Sequence, residues 1–166
     1  MKSKFRTLMI VLLAVMLLLA TTIPASAHAK KIAFTGTEAW VEDISLGQET
    51  YPSEGLYYVR GAVSRFTMTT SDPRVGGEDL VIVNWNFKLV DPPVYVTGPM
   101  WGTFRISNTG GAWEGNFVGF RNKQGASYIY YTGKGTGGYK GLHLTLSIVR
   151  IDPDPTSTET ITGVIH

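Results

Sequence analysis

Apolar and polar residues alternate along most of the chain after residue 30, and this period of two constrains the fold more than any other feature. In "DLVIVNWNFKL" (79–89) every second residue from Val81 onward is apolar. In "GLHLTLSIVR" (141–150) leucines alternate with His143, Thr145 and Ser147. Strands with one buried face and one solvated face produce this pattern, whereas helices repeat every 3.6 residues. The alternation therefore predicts an antiparallel sheet without long helices.

Turn-forming stretches such as "SNTGG" (107–111) and "NKQG" (122–125) divide the chain into short segments. Glycine recurs inside the segments, as a small closed barrel requires where its strands bend. We therefore predict one all-β domain over 28–166, an eight-stranded antiparallel β-barrel, with a β-sandwich or jelly roll as the alternative. The predicted strands are 31–42, 56–70, 80–89, 94–106, 112–121, 127–134, 139–151 and 158–165.

The first 27 residues have the parts of a secretory signal peptide. Lys2, Lys4 and Arg6 precede an apolar run over 8–20, and "ASA" (25–27) follows as a small-residue cleavage site. The run is shorter than the roughly 20 residues that a membrane-spanning helix needs. We expect cleavage after Ala27, a secreted domain and no membrane association after cleavage.

The charge and the side-chain inventory exclude several function classes. Three of the 15 Lys and Arg residues lie in the predicted signal peptide, which leaves 12 basic residues against 13 Asp and Glu. Such a chain has no basic footprint for nucleic acid. The absence of cysteine excludes thiol catalysis, and His28, His143 and His166 have no metal-ligand spacing. We therefore expect no nucleic-acid partner, no metal and no cofactor.

The stretch "YYTGKGTGGYKGL" (130–142) contains the spacing Gly133-x-Gly135-x-x-Gly138, which matches a dinucleotide-binding fingerprint. That fingerprint must open a helix whose N-terminus holds the pyrophosphate. The residues that follow alternate with period two instead. We therefore interpret the glycines as part of a hairpin, in which Gly137 and Gly138 supply positive φ angles.

The second half of the chain contains, in order, "WGTFRI", "GGAWEGNFVGF", "YIYYTGKGTGGYKGL" and "ITGVI". This order of glycine and aromatic motifs resembles the allene oxide cyclase and dirigent-like barrel superfamily, in particular its small secreted members of unknown function. The resemblance covers roughly 94–166. It implies an eight-stranded barrel with an apolar lumen, often assembled as a trimer. In the plant members the lumen steers cyclisation of an epoxide or coupling of radicals, but their catalytic residues do not align here.

Two charged residues interrupt the apolar faces of the first two predicted strands. The alternation that begins at Ile32 places Glu38 and Trp40 inward, and the alternation that begins at Tyr57 places Arg65 inward. Buried charges are costly unless they pair. We therefore hypothesise that Glu38 and Arg65 form a polar anchor in or near the lumen. The alternatives are positions near the barrel rims, or a β-bulge that resets the alternation.

Aromatic residues are plentiful on both predicted faces. Those on inward faces would form either a packed core or an apolar ligand pocket. Tyr95, Trp101, Tyr128 and Tyr130 face outward and would form a surface patch. Together with the anchor, the inward set gives the predicted ligand-binding residues: Glu38, Trp40, Arg65, Trp85, Phe104, Trp113, Phe117 and Tyr131.

The sequence shows no strong catalytic signature. We therefore predict that the lumen binds a small apolar molecule, and that the protein is more plausibly a binder than an enzyme. One alternative is an enzyme of cyclase or dirigent type that positions a reactive apolar substrate. The other is an adhesion or interaction module that uses the outward aromatic face. An open lumen favours the first two predictions, and a filled lumen favours the third.

Overall fold

The computed structural model describes residues 31–90, 95–152, 154 and 157–166. The predicted signal peptide and its cleavage site lie outside these residues. Within the described part of the chain no helix is long and apolar enough to cross a membrane.

The described residues form nine β-strands. Eight of them correspond to the eight predicted strands, and the short second strand was not predicted. The strands are β1 (Ile32–Ser45), β2 (Gln48–Thr50), β3 (Leu56–Thr70), β4 (Gly77–Val90), β5 (Tyr95–Asn108), β6 (Gly111–Arg121), β7 (Ser127–Gly137), β8 (His143–Arg150) and β9 (Glu159–Ile165).

The strands form a single antiparallel sheet that closes into a barrel-like ring. Each strand from β3 to β8 pairs with the next strand in sequence. The ring closes because β1 pairs with β9 on one side and with β3 on the other. The strand β2 lies outside the ring and pairs only with the start of β3. The predicted all-β barrel class is therefore confirmed.

The inner face of the ring carries the hydrophobic core. Buried and exposed residues alternate most regularly in β8, where Leu144, Leu146 and Ile148 are all at most 1% exposed. Isoleucines of β9 and aromatic residues of β5, β6 and β7 pack against them. Burial of these side chains is the dominant favourable contribution to the free energy of folding.

Irregular pairing in β3 and in β1 changes which residues face inward. The register of β3 against β4 shifts between Val59 and Ala62, where Gly61 has a φ of +69°. The register of β1 against β3 shifts between Trp40 and Glu42. A β-bulge adds one residue to one strand, and this reverses the face of every later residue in that strand.

The glycine-rich stretch forms a hairpin, as predicted. The strand β7 ends at Gly137, whose φ is +62°, and after a short turn β8 begins at His143. Gly141 also has a positive φ, whereas Gly138 does not. Inside β7, a Cβ on Gly133 would lie 2.7 Å from the ring of Phe104. This glycine makes room for a core aromatic ring, and no helix follows it.

Candidate functional site

One end of the barrel, which we call the closed end, is filled by side chains and covered by the loop 71–76. Trp113 is fully buried, stacks on Tyr139 at 5.2 Å, and donates its indole N–H to the carbonyl oxygen of Arg74 at 2.7 Å. The Asn108 amide donates to the carbonyl oxygen of Gly76 at 2.7 Å. Side chains that bond to the loop backbone therefore hold this cover in place.

The opposite end, which we call the open end, contains a cavity of about 280 Å³. One side of this cavity is formed by β3, β4 and β5. We call this side the apolar wall. Besides Ser64, its lining side chains are Tyr57, Phe66, Val81, Val83, Trp85, Phe87, Val96 and Met100.

Polar side chains occupy the other side of the cavity, on five adjacent strands. We call Glu38, Glu159, Arg150, Ser127 and Arg121, from β1, β9, β8, β7 and β6, the polar wall. Glu38 is the direct cross-strand partner of Glu159, and Ser127 is the partner of both Arg150 and Arg121. The sheet register therefore places the five side chains in a continuous row.

Two contacts organise the polar wall. Arg150 donates from its guanidinium to Glu159 Oε1, with an Nε–Oε1 distance of 2.7 Å, and this ion pair is buried. Arg121 donates from Nε to Ser127 Oγ at 3.0 Å. Its guanidinium lies over the ring of Phe87, and among the described residues it forms no ion pair within 4.0 Å. Burial lowers the pKa of Arg121 from its usual value.

A hydrogen bond crosses the lumen below the cavity. The phenol of Tyr131 on β7 donates to Asp79 Oδ2 on β4 at 3.2 Å, although these strands are not neighbours in the ring. Tyr131 stacks on Phe104 at 4.3 Å and on Phe117 at 5.3 Å. This layer is the floor of the cavity, because Phe117 and Tyr131 line the cavity whereas Phe104 and Asp79 do not.

The buried carboxyl groups of Glu38 and Asp79 lie close enough to shift each other's pKa. Two carboxyl groups in such contact must share a proton, because only a protonated carboxyl can donate. Burial, and then the negative charges of Asp79 and Glu159, raise the pKa of Glu38 well above its usual range. Burial also raises the pKa of Asp79 to about 7. We therefore assign the shared proton to Glu38 at neutral pH.

Three buried carboxyl oxygens have no hydrogen-bond partner among the described residues. They are Glu38 Oε1, Asp79 Oδ1 and Glu159 Oε2. Buried acceptors without donors are costly, and each one requires an explanation. Within the described chain no group of three or more His, Cys, Asp or Glu side chains is arranged to hold a metal ion.

Five of the eight residues predicted from the sequence line the cavity: Glu38, Trp40, Trp85, Phe117 and Tyr131. Phe104 and Trp113 face inward as predicted, but they do not line the cavity. Phe104 lies beneath the floor, and Trp113 belongs to the closed end. Inward orientation alone therefore did not distinguish lining residues from packed ones.

The predicted inward orientation of Arg65 is wrong. Arg65 lies on the outer face, where it pairs with Glu42 and with Glu78 and keeps 38% of its side chain exposed. The bulge at Gly61 reverses the alternation before Arg65 is reached. Glu38 instead contacts Asp79, so the hypothesised Glu38–Arg65 anchor is absent.

Sequence reasoning missed Asp79, Arg150 and Glu159. Asp79 lies just outside the predicted strand 80–89, whereas Arg150 and Glu159 lie inside predicted strands but were not assigned to the site. The signal was nevertheless present, since each residue continues the inward alternation of its strand by one more step: Asp79 before Val81, Arg150 after Ile148, and Glu159 before Ile161. Extending the alternation to the strand ends would have found the polar wall.

Aromatic and aliphatic side chains also gather on the outside of β5, β6 and β7. Val118 pairs with both Trp101 and Tyr130, and Phe120 pairs with Tyr128. Four of these five side chains are between 47% and 62% exposed. The fifth, that of Trp101, is partly covered by the guanidinium of a neighbouring arginine. We call this set the outer aromatic face; the side chain of Tyr95, also predicted to belong here, lies outside the described part.

In comparisons with known proteins, the chain matches no protein-family model, no curated protein and no solved structure. The resemblance to allene oxide cyclase and dirigent-like barrels therefore stays a prediction that rests on its motifs.

Proposed function

We propose that this chain is a secreted protein that binds a small, mostly apolar molecule in the cavity at the open end of the barrel. The observation that carries the proposal is the cavity of about 280 Å³, which the apolar wall lines on one side. Protein interiors are close-packed and contain few voids larger than a water molecule. A concave, mostly apolar space with a few converging polar groups is typical of a ligand site.

A pair of adjacent substitutions tests this proposal. Val83 lines the cavity, whereas the neighbouring Ile82 faces outward and is 44% exposed. Val83→Phe should fill part of the cavity, and Ile82→Phe should not. With the uncharged fluorescent probe N-phenyl-1-naphthylamine, we expect binding to weaken about tenfold or more in Val83→Phe and to stay unchanged in Ile82→Phe.

Native mass spectrometry of residues 28–166 from an exporting host provides an independent test. A retained small apolar mass that is lost in Val83→Phe supports the proposal. The proposal fails if wild-type protein binds neither the probe nor any co-purified molecule, or if Val83→Phe binds the probe as tightly as wild type does.

The outer aromatic face supports a second candidate function, which is association with a second copy of the chain. Exposed, contiguous apolar side chains of this kind are typical of interaction surfaces. Val118 lies within the face, whereas Asn116 is an exposed residue of the same strand outside it. If the face is an interface, Val118→Lys should reduce the oligomer to monomer in light scattering, and Asn116→Lys should not. A monomeric wild type would contradict this candidate.

A further inference from the structure

The charges of the polar wall and the floor are balanced without any ligand. Glu38 and Asp79 share one proton and therefore carry one negative charge between them. Glu159 carries a second negative charge, and Arg150 and Arg121 carry two positive charges. Asp43, the remaining charged residue of the cavity lining, belongs to neither group and is exposed to solvent. A ligand with a charged head group would add an unbalanced charge to a site of low dielectric constant, where unpaired charges are strongly unfavourable.

The same groups are not balanced in hydrogen bonding. Among the described residues, Glu38 Oε1 and Glu159 Oε2 have no donor, and both residues line the cavity and are only 2% exposed. The indole N–H of Trp85, which also lines the cavity, has no acceptor among them, so a hydroxyl group could serve either kind of group. Because Glu38 and Glu159 are direct cross-strand partners, their Cβ atoms lie about 5 Å apart. One hydroxyl group placed between them could donate to either oxygen. A head group that only accepts hydrogen bonds would leave both oxygens without a donor.

The geometry points to an uncharged, mostly apolar alcohol as the ligand of this cavity, with its hydroxyl donating to a carboxyl oxygen of Glu38 or Glu159. Its hydrocarbon part lies against the apolar wall of β3, β4 and β5. An alkylammonium ion would add a positive charge beside Arg121 and Arg150. An alkylcarboxylate could pair with Arg121, but it would leave the free oxygens of Glu38 and Glu159 without a donor. This inference rests on the proposed function, since it specifies the head group of the proposed ligand.

Four ligands of matched length test the inference: octan-1-ol, heptyl methyl ether, octan-1-amine and octanoate. Each competes with N-phenyl-1-naphthylamine for wild-type protein at pH 7. The ether is the decisive control, because it has the size and neutrality of the alcohol but no donor. We expect the alcohol to bind about tenfold more tightly than the ether, and more tightly than both charged ligands.

Two variants of one residue connect this preference to the polar wall. Glu38→Gln keeps a carbonyl acceptor and an N–H that can donate to Asp79, so it should retain the preference for alcohol over ether. Glu38→Leu removes both groups and should reduce that preference at least threefold, while the probe still binds. If Glu38→Leu does not fold, the comparison of alcohol with ether in wild type decides alone.

The outcomes separate this inference from the proposal on which it rests. Equal binding of alcohol and ether overturns the inference, as does tighter binding of octan-1-amine or octanoate. A preference that Glu38→Leu leaves intact supports donation to Glu159 rather than to Glu38. In each of these cases a ligand still binds and the proposed function stands. If neither the probe nor any of the four ligands binds, the proposed function itself fails.

Discussion

The two ends of this barrel are built from the same eight strands, but they differ in how many of their buried polar side chains have hydrogen-bond partners. At the closed end, the polar side chains that meet the loop 71–76 have partners: Asn108 and Trp113 donate to backbone carbonyls, and Tyr139 donates to Asn108. At the open end, three carboxyl oxygens have none among the described residues. The contacts with the loop 71–76 are therefore satisfied at the closed end, whereas the open end contains buried acceptors that no described residue satisfies.

The largest expected contrast between the two ends is in stability. Trp113→Ala at the closed end removes a fully buried side chain and its bond to Arg74, and it should lower the free energy of unfolding by about 3–5 kcal/mol. Trp85→Ala enlarges a cavity that already exists and should cost less than half as much. Urea denaturation measures both values. Equal losses would show that the open end is as tightly packed as the closed end.

The second contrast is in the dependence of stability on pH. Asp79 has a pKa of about 7 in the folded protein, well above its unfolded value, because burial disfavours its charge. Its contribution to stability is therefore greatest at acidic pH and declines as the pH rises towards 7. The hydrogen bonds from Arg74 lower the pKa of Asp72 at the closed end, so that residue stabilises the fold at neutral pH and loses its effect in acid.

Replacing each aspartate with asparagine should show that Asp79 and Asp72 change stability in opposite directions at neutral pH. At pH 7.5, Asp79→Asn should be more stable than wild type by about 1–2 kcal/mol, and the difference should shrink towards pH 4. Asp72→Asn should be less stable than wild type at pH 7.5, and its difference should also shrink in acid. Chemical denaturation across this range measures both. If Asp79→Asn is destabilising at pH 7.5, the assigned protonation is wrong.

The smallest expected effect concerns Arg65, on the outer face of the barrel. Its partners Glu42 and Glu78 are both about half exposed, and exposed ion pairs contribute little. We expect Arg65→Leu to change the free energy of unfolding by less than about 1 kcal/mol and to leave the affinity for the naphthylamine probe unchanged. A loss of affinity would show that Arg65 contributes to the binding site, which would contradict its outward orientation.

Strand positions followed from the sequence, because alternation is a local property that each segment displays by itself. The inward orientation of Glu38, Trp85 and Phe117 could be predicted for the same reason. The face of Arg65 did not, since one extra residue at Gly61 reverses the alternation and leaves no trace in composition. The contact of Glu38 with Asp79 depends on ring closure, and the alternation of a single strand contains no information about which strands face each other across the lumen.

The closure of the ring also has a consequence for how the chain acquires its structure. Glu38 on β1 pairs with Glu159 on β9, although the two residues lie far apart in the sequence. The strand β9 lies between β1 and β8 and closes the ring. Contacts of such long sequence separation form slowly. Until Ile161 and Ile165 arrive, the emerging polypeptide exposes two unpaired sheet edges and an apolar inner surface, which are features that favour aggregation. Ring closure therefore depends on β9, the last of the nine described strands in the sequence.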